Sequence, residues 1–154
     1  MADTIRPYLG KRTMELGAGI GNLSVQLAKG MRRYLATGID AEHLSRLRNR
    51  LQHRRNCEVH HCDLESAKDF APFPDSFDSV VCLNVLEHVE NDLFGLSNIR
   101  SVLAPGGRAV ILVSEGMSVY GTLDEVLGHH RRYSDQRTSS GRRWSKLDSA
   151  WTAC

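Results

Sequence analysis

Met14-Glu15-Leu16-Gly17-Ala18-Gly19-Ile20-Gly21-Asn22 is the stretch that decides the fold. An apolar run, Thr13–Leu16, ends in glycines at every second position, and Leu23, Leu27 and Met31 then recur at four-residue spacing. The pattern reads as a strand, a tight turn and one face of a helix over 22–31. Alternate glycines allow positive φ and close backbone approach, so a flat ligand can lie against such a turn. The helix beyond it offers N–H groups and a positive dipole end to an anion. A dinucleotide fingerprint would place its third glycine three residues after the second. Asn22 stands there instead, and the glycine falls one residue early. Glu15 precedes the first glycine by two places, where a carboxylate would repel a pyrophosphate but suit an ammonium group. The stretch therefore favours a ligand bearing an amino group and a carboxylate, and disfavours a nicotinamide-dependent oxidoreductase. The plainer alternative is a set of glycines that only tightens a strand–helix turn.

On either side, short apolar runs alternate with amphipathic stretches, the pattern of a parallel α/β sheet. Strands are expected at Thr13–Leu16, Tyr34–Asp40, Cys57–Asp63, Asp78–Asn84 and Arg108–Val113, with helices over Ala41–Gln52 and Asn91–Leu103. Pro105-Gly106-Gly107 breaks the chain before the fifth strand. Five strands with helical crossovers predict a doubly wound sheet, whose ligands bind beyond the C-terminal strand ends near the switch in strand order.

The residues just past each strand carry the candidate chemistry. Asp40 closes the second strand, where its carboxylate can accept from both hydroxyls of a ribose or cap the helix beginning at Ala41. Asp63 closes the third strand. It can accept from the exocyclic amine of adenine, with the Leu64 N–H reaching a ring nitrogen, or it can serve as a cap. Asn84 stands where the fourth strand opens into the cleft. His88, four residues on, is a candidate general base, against the commoner role of a hydrogen-bonded structural histidine.

The 154 residues are one domain's length. Twenty Lys and Arg against 18 Asp and Glu leave a formal charge of +2, which argues against a protein built to grip phosphate backbones. No apolar run approaches the about 20 residues of a membrane span, and the first eleven residues lack the apolar stretch of a signal peptide. A cytoplasmic globular domain is expected. Cys57, Cys62, Cys82 and Cys154 contain no C-x-x-C pair, so they read as structural thiols with no metal site. The charge is uneven, because residues 1–134 carry 16 basic and 16 acidic side chains and residues 135–154 carry the whole +2 with both tryptophans. That tail has neither an alternating nor a helical pattern. Arg46, Arg48, Arg50, Arg54 and Arg55 read as the outer face of the second helix and its exit. They lack the interleaved aromatics of a base-stacking surface, so no nucleic-acid partner is expected.

Taken together, MELGAGIGNLS at 14–24, TGID at 37–40, CDLE at 62–65, FDSVVCLNVLEHVEND at 77–92 and LAPGGRAVILV at 103–113 resemble a class I S-adenosylmethionine-dependent methyltransferase. YGTLDEVLGHHRRYS at 120–134 is similar to a segment of bacterial small-molecule methyltransferases of this group. The resemblance implies a Rossmann-like fold with S-adenosyl-L-methionine as cofactor. It implies Glu15, Gly17 and Gly19 along the methionine moiety, with Ala18 in the same turn, and Asn84 beside the amino group. Asp40 falls on the ribose, and Asp63 and Leu64 at the adenine. The reaction it implies is in-line attack of a small-molecule acceptor on the sulfonium methyl. His88 is the candidate catalytic base, and His129, Arg131, Arg132 and Tyr133 are candidate acceptor-binding residues. Arg131 and Arg132 suit a carboxylate or phosphate, or else mark a solvated basic helix end.

The family's sheet usually ends in an antiparallel hairpin beside the fifth strand. No apolar run after Val113 offers one. The expectation is a cofactor-binding domain over 1–134, shortened or altered at its C-terminus, followed by a poorly ordered basic tail over 135–154. The fifth strand would then be a bare edge, open to self-association. A cofactor-binding but catalytically inactive fragment or partner subunit is the alternative function.

Overall fold

A computed structural model describes residues 1–113 and 128–130, together with strands at Trp144–Leu147 and Ala150–Ala153. Along the chain come α1 (Ala2–Ile5), β1 (Arg12–Leu16), α2 (Ser24–Leu27), β2 (Arg33–Gly38), α3 (Ala41–Leu51) and β3 (Cys57–His61). They are followed by α4 (Ala67–Phe70), β4 (Phe77–Leu83), α5 (Asp92–Val102), β5 (Leu103–Leu112), β6 (Trp144–Leu147) and β7 (Ala150–Ala153). The sheet order is β3-β2-β1-β4-β5-β7-β6. Strands β1 to β5 are parallel, as the alternation of apolar and amphipathic stretches requires. The switch in strand order lies between β1 and β4.

Side-chain alternation sorts the core into two layers. Met14, Leu16, Leu35, Val80, Cys82 and Ile111 face one side of the sheet with Phe70, Ile99 and Val102. Tyr34, Ala36, Val81 and Val110 face the other with Leu27, Leu44, Leu47 and Leu51. Covering helices bury both faces, which is why the central strands read as nearly continuous apolar runs. Helix α3 begins at Asp40, whose Oδ1 accepts from the His43 N–H at 2.7 Å, and α5 begins at Asn91, whose Oδ1 accepts from the Phe94 N–H at 3.0 Å. Cys62 and Cys82 are buried free thiols, each pushed up to about 12 by burial. Among the described residues no helix is long and apolar enough to cross a membrane.

Strand β5 starts earlier than its apolar run. Leu103 pairs with Phe77, and the next partners are Arg108 and Ser79, so Ala104–Gly107 bulges out within the strand. Pro105-Gly106-Gly107 is thus a bulge and not the break between helix and strand that its composition suggests.

The C-terminus corrects two expectations. Ala109–Leu112 pair antiparallel with Ala150–Ala153, and that strand pairs in turn with Trp144–Leu147. The antiparallel pair is therefore present, and β5 is not a bare edge offered to a second copy. Four-residue strands are too short for period-2 alternation to stand out in a sequence. The open N–H and C=O groups along β5 select them more than any apolar run of their own. The local signals are slight: Trp and Thr as strand formers, and Asp148-Ser149 separating the two runs.

Candidate active site

Four strand ends line one edge of the sheet, placing Asp63, Asp40, Gly17–Gly19 and Asn84 in the order β3-β2-β1-β4. Backbone hydrogen bonds tie these ends to their neighbours. The Ala18 N–H donates to Thr37 O at 2.7 Å, Cys62 N–H to Gly38 O at 3.0 Å, and Asn84 N–H to Leu112 O at 2.9 Å.

Gly17 and Gly19 both have left-handed backbone, with φ of +69° and +54°. They differ in surroundings. A Cβ on Gly17 would lie 2.2 Å from Val85 Cγ2, whereas a Cβ on Gly19 would meet nothing within 4 Å. Gly17 lets the turn close against the corner after β4, and Gly19 faces the open space above the strand ends. Gly21 lets the turn pack on α3, since an added Cβ would lie 2.5 Å from Leu47 Cδ1. That contact accounts for the early third glycine. Asn84 is exposed and also left-handed, with φ of +53°. Asn tolerates that region better than most residues, and such backbone concentrates at ligand sites.

Asp40 is exposed and caps α3 through Oδ1; the His43 N–H bond, foremost, holds its carboxyl below the ordinary value. Asp63 is exposed, and its Oδ1 accepts from the Glu65 N–H at 2.9 Å. The carbonyl of buried Leu64 is held by Asn98 Nδ2 at 2.9 Å, which fixes this part of the rim.

Glu15 lies beneath the turn, only 4% exposed. Its Oε2 accepts from the Ser24 hydroxyl and from Tyr34 OH at 2.8 Å, joining β1 to α2 and β2. Ser24, Tyr34, Val85 and Asn98 are the site-shaping residues that the motif reading missed. For Ser24, Tyr34 and Asn98 the only sequence signal is a polar group within an apolar run, which names no partner, and Val85 carries no signal at all.

His88 ends a 3-10 turn, Leu86–His88, past Asn84. Its Nδ1 lies 3.2 Å from Gly128 O, and the His130 N–H donates to Glu87 O at 2.7 Å. A carbonyl oxygen only accepts, so Nδ1 carries the proton, and in the neutral ring Nε2 keeps its lone pair. The His129 ring meets the His88 ring edge-on, with centroids 4.7 Å apart. The structure thus brings His88 and His129 together beside the Asn84 corner. Arg131, Arg132 and Tyr133 lie outside the described residues.

Residues 14–109 match a family model described as a methyltransferase domain. The chain belongs to the methyltransferase-domain family. It is of the class I, S-adenosylmethionine-dependent kind. This methyltransferase domain is 33% identical over 113 residues to a ubiquinone biosynthesis O-methyltransferase of Aeromonas salmonicida, covering 72% of this chain and 46% of that protein. It is 35% identical over 107 residues to a demethylmenaquinone methyltransferase of Clavibacter sepedonicus, covering 70% and 42%. The chain therefore spans less than half the length of these curated relatives. Its fold superposes on the CurJ carbon methyltransferase with a TM-score of 0.66 at 27% identity, over 79% of this chain and 33% of that one.

The buried Glu15 gives the methyltransferase domain a testable pH dependence. Burial, the dominant influence, raises the Glu15 carboxyl above its ordinary 4.5, while the hydrogen bonds from Ser24 and Tyr34 oppose the rise. Folded Glu15 thus keeps its proton to higher pH than the unfolded chain does. Stability falls as pH climbs from the ordinary carboxyl range through the raised native value. Glu15→Gln keeps an acceptor for both hydroxyls and removes the charge. Its melting temperature is expected to gain on that of the parent chain as pH rises from the ordinary carboxyl range through the raised native value. A difference constant across that range would refute the assignment.

Proposed function

We propose that this domain transfers a methyl group from S-adenosyl-L-methionine to a small-molecule acceptor. The observation that carries this reading is the alignment, across the β1/β4 switch, of the Gly17–Gly19 turn with Asp40, Asp63 and Asn84 on one sheet edge. The fit to the cofactor rests on the free space above Gly19, on the exposed carboxylates of Asp40 and Asp63 to the β2/β3 side of the turn and on exposed Asn84 to the β4 side. Those groups suit a cationic ligand rich in hydroxyls and amines better than a diphosphate. The cofactor, when bound, supplies an activated methyl group on a sulfonium.

The residues then divide the work. Gly17, Ala18 and Gly19 bound the methionine moiety with their backbone, supported from below by Glu15, and Asn84 receives the amino group. Asp40 holds the ribose hydroxyls, and Asp63 with Leu64 reads the adenine edge. Holding an acceptor in line is what the protein must add, and positioning of this kind lowers a barrier by on the order of 7–11 kcal/mol. His88 takes the acceptor's proton at Nε2, kept in that tautomer by its bond to Gly128 O. His129 packs the imidazole edge-on, and Arg131, Arg132 and Tyr133 follow it in the chain as the acceptor's anion-binding group. Relatives named for ubiquinone biosynthesis and for demethylmenaquinone support a small-molecule acceptor. A cytoplasmic setting agrees with the buried free thiols at Cys62 and Cys82.

Calorimetric titration with S-adenosylhomocysteine, paired with product mass spectrometry on a panel of small-molecule acceptors, tests the proposal. His88→Ala is expected to keep cofactor affinity within about twofold and to lose on the order of a hundredfold or more in turnover. Folded protein that ignores S-adenosylhomocysteine would overturn the reading. The alternative, a domain that binds the cofactor without turnover, predicts binding and no methylated product.

A further inference from the structure

The N-terminal ends of the parallel strands form the edge opposite the cofactor turn, and there the charge is of the other sign. Arg12, Arg32 and Arg33 at the starts of β1 and β2, with Arg55, Asn56 and Glu58 at the start of β3, line a cleft of about 370 Å³. Two of the guanidinium groups are locked in place. Arg12 reaches Asp78 Oδ1 through Nε at 3.1 Å and Nη2 at 2.6 Å, while Asp78 Oδ2 accepts from the Arg12 and Lys11 N–H groups. Arg33 reaches Glu58 through Nε at 2.8 Å and Nη2 at 3.2 Å, and lies 5.3 Å from the Phe77 ring centroid. Arg32 and Arg55 are exposed and take part in no ion pair among the described residues.

The backbone carrying these side chains is pinned. Both the Arg32 and Arg33 N–H groups donate to Lys11 O, at 2.8 and 3.1 Å. Asn56 Nδ2 donates to Ala28 O at 3.0 Å and Met31 O at 3.1 Å, fixing the turn before β2 to the turn before β3. Four guanidinium groups thus share one cleft; Asp78 and Glu58 pair with two of them, and two positive charges are left over. Converging positive charges of this kind raise the local potential and favour an anion there. Arg12 and Arg33 also keep Nη1 outside their ion-pair bonds. The cleft is in the size range of small-ligand sites.

We infer that this cleft binds a small phosphate-type dianion, with Arg12 and Arg33 as its rigid floor and Arg32 and Arg55 as closing arms. A tetrahedral oxyanion meets several guanidinium forks at once, and its two charges match the two left over. A single carboxylate does neither. The inference stands independently of the methyl-transfer proposal, because it uses none of the cofactor-edge residues.

Inorganic phosphate is the probe, titrated as the dianion into the full chain at low ionic strength with amide shifts followed by NMR. Saturable binding is expected, with shifts centred on residues 32–33 and 55–58 and an affinity that falls as salt is raised. Arg32→Gln/Arg55→Gln should weaken it by about tenfold or more at an unchanged melting temperature. AMP competing as well as inorganic phosphate would place a nucleotide's phosphate in the cleft, and inorganic phosphate alone binding would place the free anion there. Equal affinity in the double variant, no binding by the parent chain, or shifts centred on residues 17–19 would each overturn the inference.

Discussion

Gly17→Ala is expected to destabilise the protein by on the order of 3 kcal/mol, lowering its melting temperature by roughly 10 °C, and to abolish measurable cofactor binding. Two costs combine. A Cβ at φ of +69° carries about 1–2 kcal/mol of steric penalty on its own. That Cβ would also stand 2.2 Å from Val85 Cγ2, an overlap whose relief costs about 1–3 kcal/mol. Val85 directly follows Asn84, so relieving the overlap moves the corner on which the amino-group contact depends. Gly19→Ala is the control. Its backbone penalty is similar, but its Cβ meets no protein atom, so it should fold with a loss of about 1 kcal/mol and still bind S-adenosylhomocysteine poorly. Adding Val85→Ala to Gly17→Ala should recover part of the stability. Denaturant unfolding decides the matter, and a Gly17→Ala variant within about 0.5 kcal/mol of the parent chain would dismiss the close-approach account.

Asp40→Ala is expected to weaken S-adenosylhomocysteine binding by roughly tenfold or more, the scale of losing charge-assisted hydrogen bonds to a ligand. The structure complicates the simple variant, since Asp40 Oδ1 also caps α3. Asp40→Ser separates the two roles. A serine hydroxyl can accept from the His43 N–H and keep the helix start, but it lacks the charge and the second oxygen needed for a ribose diol. Asp40→Ser should therefore melt close to the parent chain while binding as weakly as Asp40→Ala. Unchanged affinity in Asp40→Ala, measured by calorimetry, would refute the ribose assignment.

The candidate site was legible in the sequence wherever its geometry follows from strand ends. Asp40, Asp63 and Asn84 sit one or two residues beyond apolar runs, and parallel pairing brings such positions to a common edge. The two roles weighed for Asp40 were not exclusive, because the helix cap accounts for one of its oxygens. Glu15 was legible as an unusual carboxylate, but not as a buried one. Its donors Ser24 and Tyr34 stand 9 and 19 residues away, on elements whose approach no local pattern encodes. The arginine cleft was hidden for the same reason. Arg55 belonged by sequence to a basic run with Arg46, Arg48, Arg50 and Arg54, while in space it joins Arg12, Arg32 and Arg33. Arg46 instead pairs with Glu42, and Arg50 reaches Ile20 O.

By itself the sequence determined the five parallel strands, the glycine turn and the residues along its rim. Side-chain period, backbone steric limits and helix caps all act between near neighbours in the chain, so they leave their mark in its order. Only the tertiary structure decided what pairs with the far side of β5, where Pro105–Gly107 bulges, which hydroxyls donate to Glu15, and which arginines converge. Each of those depends on which backbone edge remains open and which charges come within reach once the sheet has formed. Segments distant in the chain settle these matters together, with no signature of their own.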